Sequence, residues 1–323
     1  MRERITAMEN GKPVSVVEGR GGTCSRRGAV LLMLGGWRLW SQTMAADAGV
    51  PIRLAVSESL VSDVNINDAR AAMQIWLKRM SQDLNLAVEI SPKVFDTTEE
   101  ILRRARAGQF DAVALNVAEY RQIADMLDPR QINAETDGAE QYLLLAKRTG
   151  GVQRLADLRG LRLTILKAPK MCVATAWLAT LLEEEHLDRS DRFFASVTTD
   201  VKPSRVVLPV FFGQADACIT SKRGFDTMGE LNPQVAKDLT VVARSPAMVV
   251  TFYTFHRNYR SVSRERFAKI YTNVPASVAG RQLATLFQFQ GLAVSDASCL
   301  APALAILNAA DRAHAGQGAG GRK

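Results

Sequence analysis

Apolar and polar positions alternate in blocks after the first fifty residues, and the first blocks predict a strand, a helix and a strand. The apolar run IRLAV at 52–56 is typical of a buried strand. The next segment places Ala69, Met73 and Trp76 at helical spacing, which makes one side of a helix apolar. The run LAVEI at 86–90 then predicts a second strand.

A second helix and a third strand complete this unit. Thr97 and Glu100 fit a capping box at the start of a helix, and Gly108 suits the position just after its end. The run DAVAL at 111–115 predicts the third strand. Because strands and helices alternate over 52–115, we expect a parallel sheet with helices packed on its faces.

The same order recurs in the second half of the chain. Strands are predicted at 161–166, 192–197 and 216–220, with helices at 172–185 and 204–213 between them. Pro209 lies inside the second of these helices. An interior proline costs about 3 kcal/mol or more, so we expect that helix to bend or to begin late. The chain is therefore predicted to form two similar α/β lobes.

Two octets mark equivalent joints in the two lobes. GQFDAVAL at 108–115 and GQADACIT at 213–220 share Gly, Gln, Asp and Ala at the same places. Each follows a helix, passes through the glycine and opens the third strand of its unit. We interpret them as one architectural joint used twice rather than as ligand contacts. This makes Asn116 and Ser221 equivalent residues at the ends of the two third strands.

Connecting segments and helices follow the second lobe. Residues 240–257 are rich in strand-forming types and can return the chain to the first lobe. Three helices are predicted at 263–274, 278–289 and 299–312. The predicted division is an export signal and N-terminal extension at 1–48, a first lobe at 49–140 plus 250–312, a second lobe with hinge strands at 141–249, and a disordered tail at 313–323.

The N-terminus has the pattern of an export signal. Arg26 and Arg27 precede a short apolar run at 29–36, and Ala46 and Ala48 offer a small-x-small cleavage site. The run is well short of the about 20 residues that cross a bilayer. The arginine pair is similar to a twin-arginine signal, and the sequence leaves the Tat and Sec routes open. We expect a periplasmic protein.

Composition and charge narrow the function classes. The chain has 323 residues, 47% of them hydrophobic, and a net charge of +8 at pH 7, which suits an anionic small ligand. It has no clustered basic stripe with interleaved aromatics, so nucleic-acid binding is not predicted. It also has no P-loop, HExxH or GxSxG motif and no metal-ligand spacing, so we expect no cofactor and no metal.

Four segments carry a resemblance to a known family. They are LNLAVEI at 84–90, GQFDAVALNVAEY at 108–120, LADLRGLRLTIL at 155–166 and FFGQADACITSKRGFD at 211–226. Together they resemble type 2 periplasmic solute-binding proteins. The nearest resemblance is to the phosphonate/phosphite/phosphate-type ABC transporter substrate-binding family, over about residues 51–310.

This resemblance implies a fold and a role. The fold would be α/β, with two lobes on either side of a hinged cleft in which a small solute binds. The role would be that of an exported, monomeric binding protein, not an enzyme, which closes over its ligand and docks on a membrane permease. A periplasmic ligand-sensing protein that partners a sensor kinase is the alternative.

One segment departs from the pattern of that family. Family members hold their anion with a turn rich in serine and threonine at the start of the first helix of the second lobe. Here the turn reads KAPKMCVAT, and Lys170, Met171 and Cys172 stand where hydroxyls are expected. Helix N-terminal amides and the Lys170 ammonium can still receive an oxyanion, but the side-chain donors have changed.

Ligands of open α/β sheets bind beyond the carboxyl ends of the strands, and this rule selects the candidate residues. Ten side chains follow predicted strands: Ser57, Glu58 and Asn116 in the first lobe, and Lys170, Cys172, Thr175, Lys202, Ser204, Thr220 and Ser221 in the second. The same rule selects Thr97 after the second predicted strand, and Thr97 and Ser204 have a second interpretation as helix caps. Glu58 repels an anion, so its presence in the cleft would favour a ligand that also carries a positive group.

Cys172 has two further interpretations. Cys172, Cys218 and Cys299 follow the export signal, and their odd number leaves at least one thiol unpaired within the chain. A thiol at a helix N-terminus beside Lys170 is expected to have a lowered pKa, which would suit a nucleophilic enzyme. A disulfide between Cys172 and Cys218 is the other interpretation.

Overall fold

The fold is described from a computed structural model. The structure describes residues 52–62, 65–83, 90–95, 97–135, 139–260, 264, 278–286 and 291–320. The predicted export signal lies outside these residues. So do most of the predicted helix at 263–274 and the last three residues of the predicted tail.

Six strands form the first sheet. They are β1 (Ile52–Ser57), β2 (Ile90–Phe95), β3 (Ala112–Asn116), β4 (Leu127–Glu135), β10 (Thr251–His256) and β11 (Leu292–Ser295). Their order across the sheet is β11-β4-β10-β3-β1-β2. Strand β1 is parallel to β2 and β3, whereas β10 is antiparallel to β3 and β4. Because β1 and β3 are parallel neighbours, their carboxyl ends lie side by side at the same end of the sheet.

Helices cover both faces of this sheet, and sheet and helices together are called lobe one below. They are α1 (Ile66–Asp83), α2 (Thr98–Arg106), α3 (Val117–Ile123) and α9 (Val278–Leu286). On one face, Trp76 and Leu77 of α1 form a buried apolar cluster with Tyr253 and Phe255 of β10. Thr97 caps α2 by accepting a hydrogen bond from the Glu100 amide at 3.2 Å, which confirms its predicted role.

The second sheet and its helices form lobe two. The strands are β5 (Tyr142–Lys147), β6 (Arg162–Leu166), β7 (Ser196–Asp200), β8 (Ala217–Ser221) and β9 (Leu239–Arg244), in the order β7-β6-β8-β5-β9. The helices are α4 (Ala174–Glu184), α5 (Ser190–Phe193), α6 (Pro203–Phe211), α7 (Lys222–Leu231) and α8 (Pro233–Asp238). The predicted α/β fold with two lobes is confirmed. None of the described helices is long and apolar enough to cross a membrane.

The two octets form the same joint in both lobes. The glycine that opens each octet has a positive φ, +59° in the first and +76° in the second, which suits a residue without a Cβ. Asp111 then accepts bonds of 2.7–3.0 Å from the backbone and guanidinium of Arg53. Asp216 accepts the equivalent bonds, at 2.8–3.1 Å, from Arg162. Each aspartate thus ties the third strand of its lobe to the first.

Two strands differ from the prediction in position. Strand β2 begins at Ile90, where the predicted strand ends, and residues 84–89 lie outside the described part of the chain. Strand β7 begins at Ser196, because the aromatic residues of the predicted run 192–197 lie partly in the short α5. Buried Phe193 and Phe194 therefore fill the core of lobe two ahead of the strand.

Strand β4 was not predicted at all. It contains Pro129, and a proline within a run argues against a strand because it cannot donate to the ladder. The pairing of β4 with β10 shifts register between Thr254 and His256, opposite this region. The proline is therefore placed where the ladder is already irregular.

The proline in α6 has less effect than expected. The helix begins at Pro203 and includes Pro209 in its final turn, so the predicted late start is wrong. A proline at the first helical position is favourable because that N–H has no intrahelical partner. Lys202 occupies the N-cap position, and the interpretation of Ser204 as the cap is therefore also wrong.

The last helix, α10 (Ala301–Gly320), contacts helices of both lobes. It packs against α4 of lobe two and against α3 of lobe one. Its buried side forms a stripe at helical spacing: Ala303, Ile306, Leu307, Ala310 and Ala313. Asp311 also pairs with Arg121 of α3 at 2.5 Å. The helix runs through 313–320, which the sequence predicts as disordered.

Candidate functional site

A network of hydrogen-bonded side chains lies at the carboxyl ends of β1 and β3. Ser57 Oγ donates to Glu119 Oε1 at 2.5 Å. Glu119 Oε2 accepts a hydrogen bond from the backbone amide of Asn116 at 2.9 Å, and Asn116 Oδ1 accepts one from the backbone amide of Glu119 at 3.0 Å. These two bonds form a reciprocal capping box at the start of α3. Asn116 Nδ2 donates to Ser59 Oγ at 3.0 Å. Since Ser57, Asn116 and Glu119 are buried, this edge of lobe one is held in one arrangement.

The two lobes touch at the turns that follow their first strands. The turn Glu58–Leu60 after β1 contacts the turn Pro169–Met171 after β6. Tyr142, which is fully buried in β5, donates its hydroxyl to the Lys170 carbonyl at 2.7 Å. This bond fixes the second turn against the sheet of lobe two, directly ahead of α4.

Cys172 lies beside the start of α3 from the other lobe. Its Sγ is 3.8 Å from the carbonyl oxygen of Val250, which also accepts the amide of Val117 at 2.8 Å. The start of α4 and the start of α3 therefore share one backbone group at the interface between the lobes.

Four charged side chains meet between the lobes, and we call Glu135, Glu140, Lys170 and Arg223 the interlobe charge cluster. Lys170 Nζ lies 2.6 Å from Glu135 Oε2 and 3.6 Å from Glu140 Oε1. Arg223 Nη2 lies 3.0 Å from the other oxygen of Glu135. The glutamate side chains are only 8% and 6% exposed, so both carboxylates are largely withdrawn from water. The cluster contains two acidic and two basic groups.

Burial dominates the electrostatics of Glu140. It raises the pKa of this carboxyl group, although the positive charges of Lys170 and Arg223 act in the opposite direction. A second carboxylate, Glu135, adds to the increase.

A cavity of about 310 Å³ lies next to the cluster, between residues 139–141 and helix α7. This volume is in the range of small-molecule sites.

The structure brings half of the ten candidate residues together. Ser57, Glu58, Asn116, Lys170 and Cys172 lie at the meeting point of the two lobes. Thr220 and Ser221 end β8, where Thr220 is fully buried and Ser221 caps α7 by accepting from the Gly224 amide at 3.0 Å. Thr175 and Lys202 have exposed side chains at the starts of α4 and α6, and Ser204 is half-buried in the first turn of α6.

The predicted reactivity of Cys172 is wrong. Burial, together with the nearby carboxylate of Glu119, raises the pKa of its thiol to about 12. Lys170 does not counter this, because its ammonium is directed to Glu135. The predicted disulfide is also absent, since Cys172, Cys218 and Cys299 are all free thiols.

We expect Cys172 to be inert to iodoacetamide at pH 7.5 in the folded protein. The thiolate is the reacting species, and a pKa of about 12 keeps it scarce until the pH is strongly alkaline. Peptide mapping by mass spectrometry should show modification at least about 100-fold slower than in the urea-unfolded chain. Rapid labelling of Cys172 in the folded protein would contradict the assignment and revive the nucleophilic interpretation.

Sequence reasoning missed three acidic residues and one arginine of this region. Glu119 had a readable signal, because Asn at 116 and Glu three residues later match the capping-box spacing. Glu135 ends the unpredicted β4, and Glu140 lies in the connection between the lobes, so neither follows a predicted strand. For Arg223, the sequence left a solvated surface charge and a contact in the cleft equally open. Within the described residues, no group of His, Cys, Asp and Glu could hold a metal ion.

The family model described as "ABC transporter, phosphonate, periplasmic substrate-binding protein" matches residues 59–300. The chain belongs to this family. The match includes both lobes, the interlobe charge cluster and the turn ahead of α4. No curated protein matches the sequence of this family member.

Solved structures with the same fold include three binding proteins. A binding protein component of an ABC phosphonate transporter from Pseudomonas aeruginosa is 14% identical, with a TM-score of 0.56 over 83% of this chain and 88% of that one. A Xanthomonas citri protein bound to ATP is 13% identical, with a TM-score of 0.58 over 82% and 98%. PhnD1 from Prochlorococcus marinus, in complex with methylphosphonate, is 12% identical, with a TM-score of 0.54 over 82% and 98%. At sequence identities this low, the structural similarity shows that the fold is shared.

Proposed function

We propose that this chain is the exported substrate-binding component of an ABC transporter and binds a small, oxyanion-bearing solute between its lobes. The family is periplasmic and works with membrane permeases. This supports the proposal that the protein delivers its solute to such a permease. Family membership favours this role over a partnership with a sensor kinase. The N-terminal arginine pair supports export by the Tat or Sec route, and we propose that the exported protein is a monomer.

The observation that carries the proposal is the convergence of Lys170 and Arg223. These two cations come from different elements of lobe two and lie 2.6 and 3.0 Å from the two oxygens of one carboxylate. Phosphonates, sulfonates and carboxylates all offer two negatively charged oxygens that such a pair of cations can bind. Helix α4 follows the Lys170 turn and has no side-chain cap, so its first amides are additional donors for an oxyanion.

We assign the proposed contacts in four groups. Ser57, Glu58 and Asn116 would face the solute from lobe one, and Lys170 and Cys172 would face it from the start of α4. Thr220 and Ser221 would contribute from the end of β8. The exposure of Thr175 and Lys202, and the position of Ser204 in the first turn of α6, suit the rim of the cleft.

The ligands of the structural neighbours support the same chemistry. Methylphosphonate and ATP both carry phosphorus oxyanions, and the Pseudomonas aeruginosa protein is a phosphonate transporter component. Glu58, Glu135 and Glu140 make the surroundings of the site partly acidic. This balance favours a solute that carries a positive group beside its oxyanion.

A ligand panel tests the proposal. We expect phosphate, phosphite, phosphonates or sulfonates to raise the melting temperature by roughly 5 °C at 100 times Kd, because a ligand that binds only the folded state stabilises it by mass action. Isothermal titration calorimetry should then show the affinity falling at least about tenfold in Lys170→Gln. Lys237→Gln is the matched control, since it removes an equal charge from an exposed position in α8, away from the proposed contacts. No shift across oxyanions and small carboxylates would overturn the proposed ligand class.

A further inference from the structure

The carboxylate of Glu135 occupies the cation pair to which the proposed function assigns the solute. Lys170 and Arg223 belong to lobe two, whereas Glu135 is the last residue of β4 in lobe one. Each carboxylate oxygen has its own cation, at 2.6 Å from Lys170 Nζ and 3.0 Å from Arg223 Nη2. In this arrangement Glu135 presents to lobe two the same pair of oxygens that a ligand oxyanion would present.

Glu135 and a solute oxyanion cannot both bind Lys170 and Arg223 without an energetic cost. The Glu135 side chain is 8% exposed and that of Lys170 is 25% exposed, so little water screens a negative charge added beside Lys170, although Arg223 is 41% exposed. Glu140 already places a second carboxylate oxygen 3.6 Å from the same ammonium. The four charges of the interlobe charge cluster cancel, and an oxyanion added beside them would lack a countercharge.

From these contacts we infer that Glu135 is an internal competitor, whose carboxylate must be displaced from Lys170 and Arg223 before a solute oxyanion can bind them. This inference rests on the proposed function, because it concerns the same site. It makes Glu135 a residue that lowers affinity and thereby selects solutes. A carboxylate solute with one negative charge only replaces the Glu135 carboxylate with an equivalent group and gains little. A phosphonate dianion forms charge-assisted hydrogen bonds with the two cations that are stronger than those it displaces.

Displacement also couples binding to the relative position of the lobes. The Glu135 contacts to Lys170 and Arg223 link lobe one to lobe two, and a solute that takes over the cations replaces this direct link. The bound solute then bridges the lobes through its own contacts. The inference therefore predicts that removal of the Glu135 charge weakens the link between the lobes and strengthens solute binding.

The test is Glu135→Gln, which keeps the size of the side chain and removes its charge. We expect methylphosphonate to bind this variant about tenfold more tightly than the wild type by isothermal titration calorimetry at fixed ionic strength. We also expect a lower melting temperature without ligand, because Lys170 and Arg223 each lose their ion pair with Glu135, and a larger increase on adding methylphosphonate. The gain in affinity should disappear in the double variant Glu135→Gln/Lys170→Gln, because Lys170 is one of the released cations.

Asp188→Asn is the matched control for net charge. Asp188 pairs with Arg159 at 2.5 Å on the surface of lobe two, and both side chains are about half exposed. Its removal changes the charge of the protein by the same amount and leaves the interlobe charge cluster intact. We expect its affinity for methylphosphonate to stay within about twofold of the wild type. An equal gain in both variants would overturn the inference in favour of a general charge effect.

The remaining outcomes separate the inference from the proposed function. If the wild type binds methylphosphonate and Glu135→Gln binds it equally or more weakly, the inference fails and the proposed function stands. If Glu135→Gln loses affinity for 2-aminoethylphosphonate alone, Glu135 contacts the positive group of the solute and is not a competitor. If neither protein binds any oxyanion of the panel, the proposed function fails, and the competitor role fails with it.

Discussion

Trp177→Ala is expected to lower the free energy of unfolding by about 3–5 kcal/mol, the largest effect that we predict for this chain. Trp177 is buried in α4, and its ring meets the ring of Tyr142 edge-on, with centroids 6.1 Å apart. Its removal leaves a cavity that the surrounding strands and helices can fill only in part. Urea unfolding followed by far-UV circular dichroism measures the loss.

This substitution is also expected to weaken solute binding. Tyr142 holds the Lys170 carbonyl, so a loosened tyrosine ring lets the turn ahead of α4 move and misplaces the Lys170 ammonium. Glu184→Ala is the control, because Glu184 is exposed at the end of the same helix, away from the proposed contacts, and should change stability by less than about 0.5 kcal/mol. A loss below about 1 kcal/mol for Trp177→Ala would show that this packing is not as described.

Glu119→Ala is expected to lower the free energy of unfolding by about 2–4 kcal/mol. The buried carboxylate accepts from the Ser57 hydroxyl and the Asn116 backbone amide, and both of these hydrogen bonds are lost when it is removed. Asn116 and Ser57 are also no longer fixed at the edge of lobe one, so solute binding should weaken. Calorimetry on the folded variant measures this second effect.

The controls for Glu119 separate its hydrogen bonds from its charge. Glu119→Gln keeps one acceptor oxygen and the shape of the side chain, and should lose about half as much stability. Glu99→Ala removes an exposed carboxylate from the first turn of α2 and should change stability by less than about 0.5 kcal/mol. An equal loss in Glu119→Ala and Glu99→Ala would contradict the role of the capping network.

Much of the candidate site follows from the rule that ligands bind at the carboxyl ends of strands. Ser57, Asn116 and Lys170 were selected in this way, and the structure places them where the lobes meet. The rule selects positions but not side-chain directions, which is why Thr175 was selected and is exposed. It also depends on finding the strands, and Pro129 concealed the strand that ends in Glu135.

The properties of Cys172 show where local reasoning stops. A thiol after Lys170 at a helix start predicts a low pKa if the two groups interact. In the fold, the ammonium turns to Glu135 and the thiol is buried near Glu119, so its pKa rises instead. Both carboxylates come from parts of lobe one that are distant in sequence, and no local pattern reports them.

The sequence by itself determined the β-α-β-α-β order of both lobes and their repeated joint. Periodicity and turn residues are local properties, and they suffice to predict two α/β units and a glycine followed by an aspartate at each third strand. The pairing of those aspartates with Arg53 and Arg162 required the register of the strands. Only the tertiary structure decided the charge balance between the lobes, because long-range packing selects which buried carboxylate meets which cation.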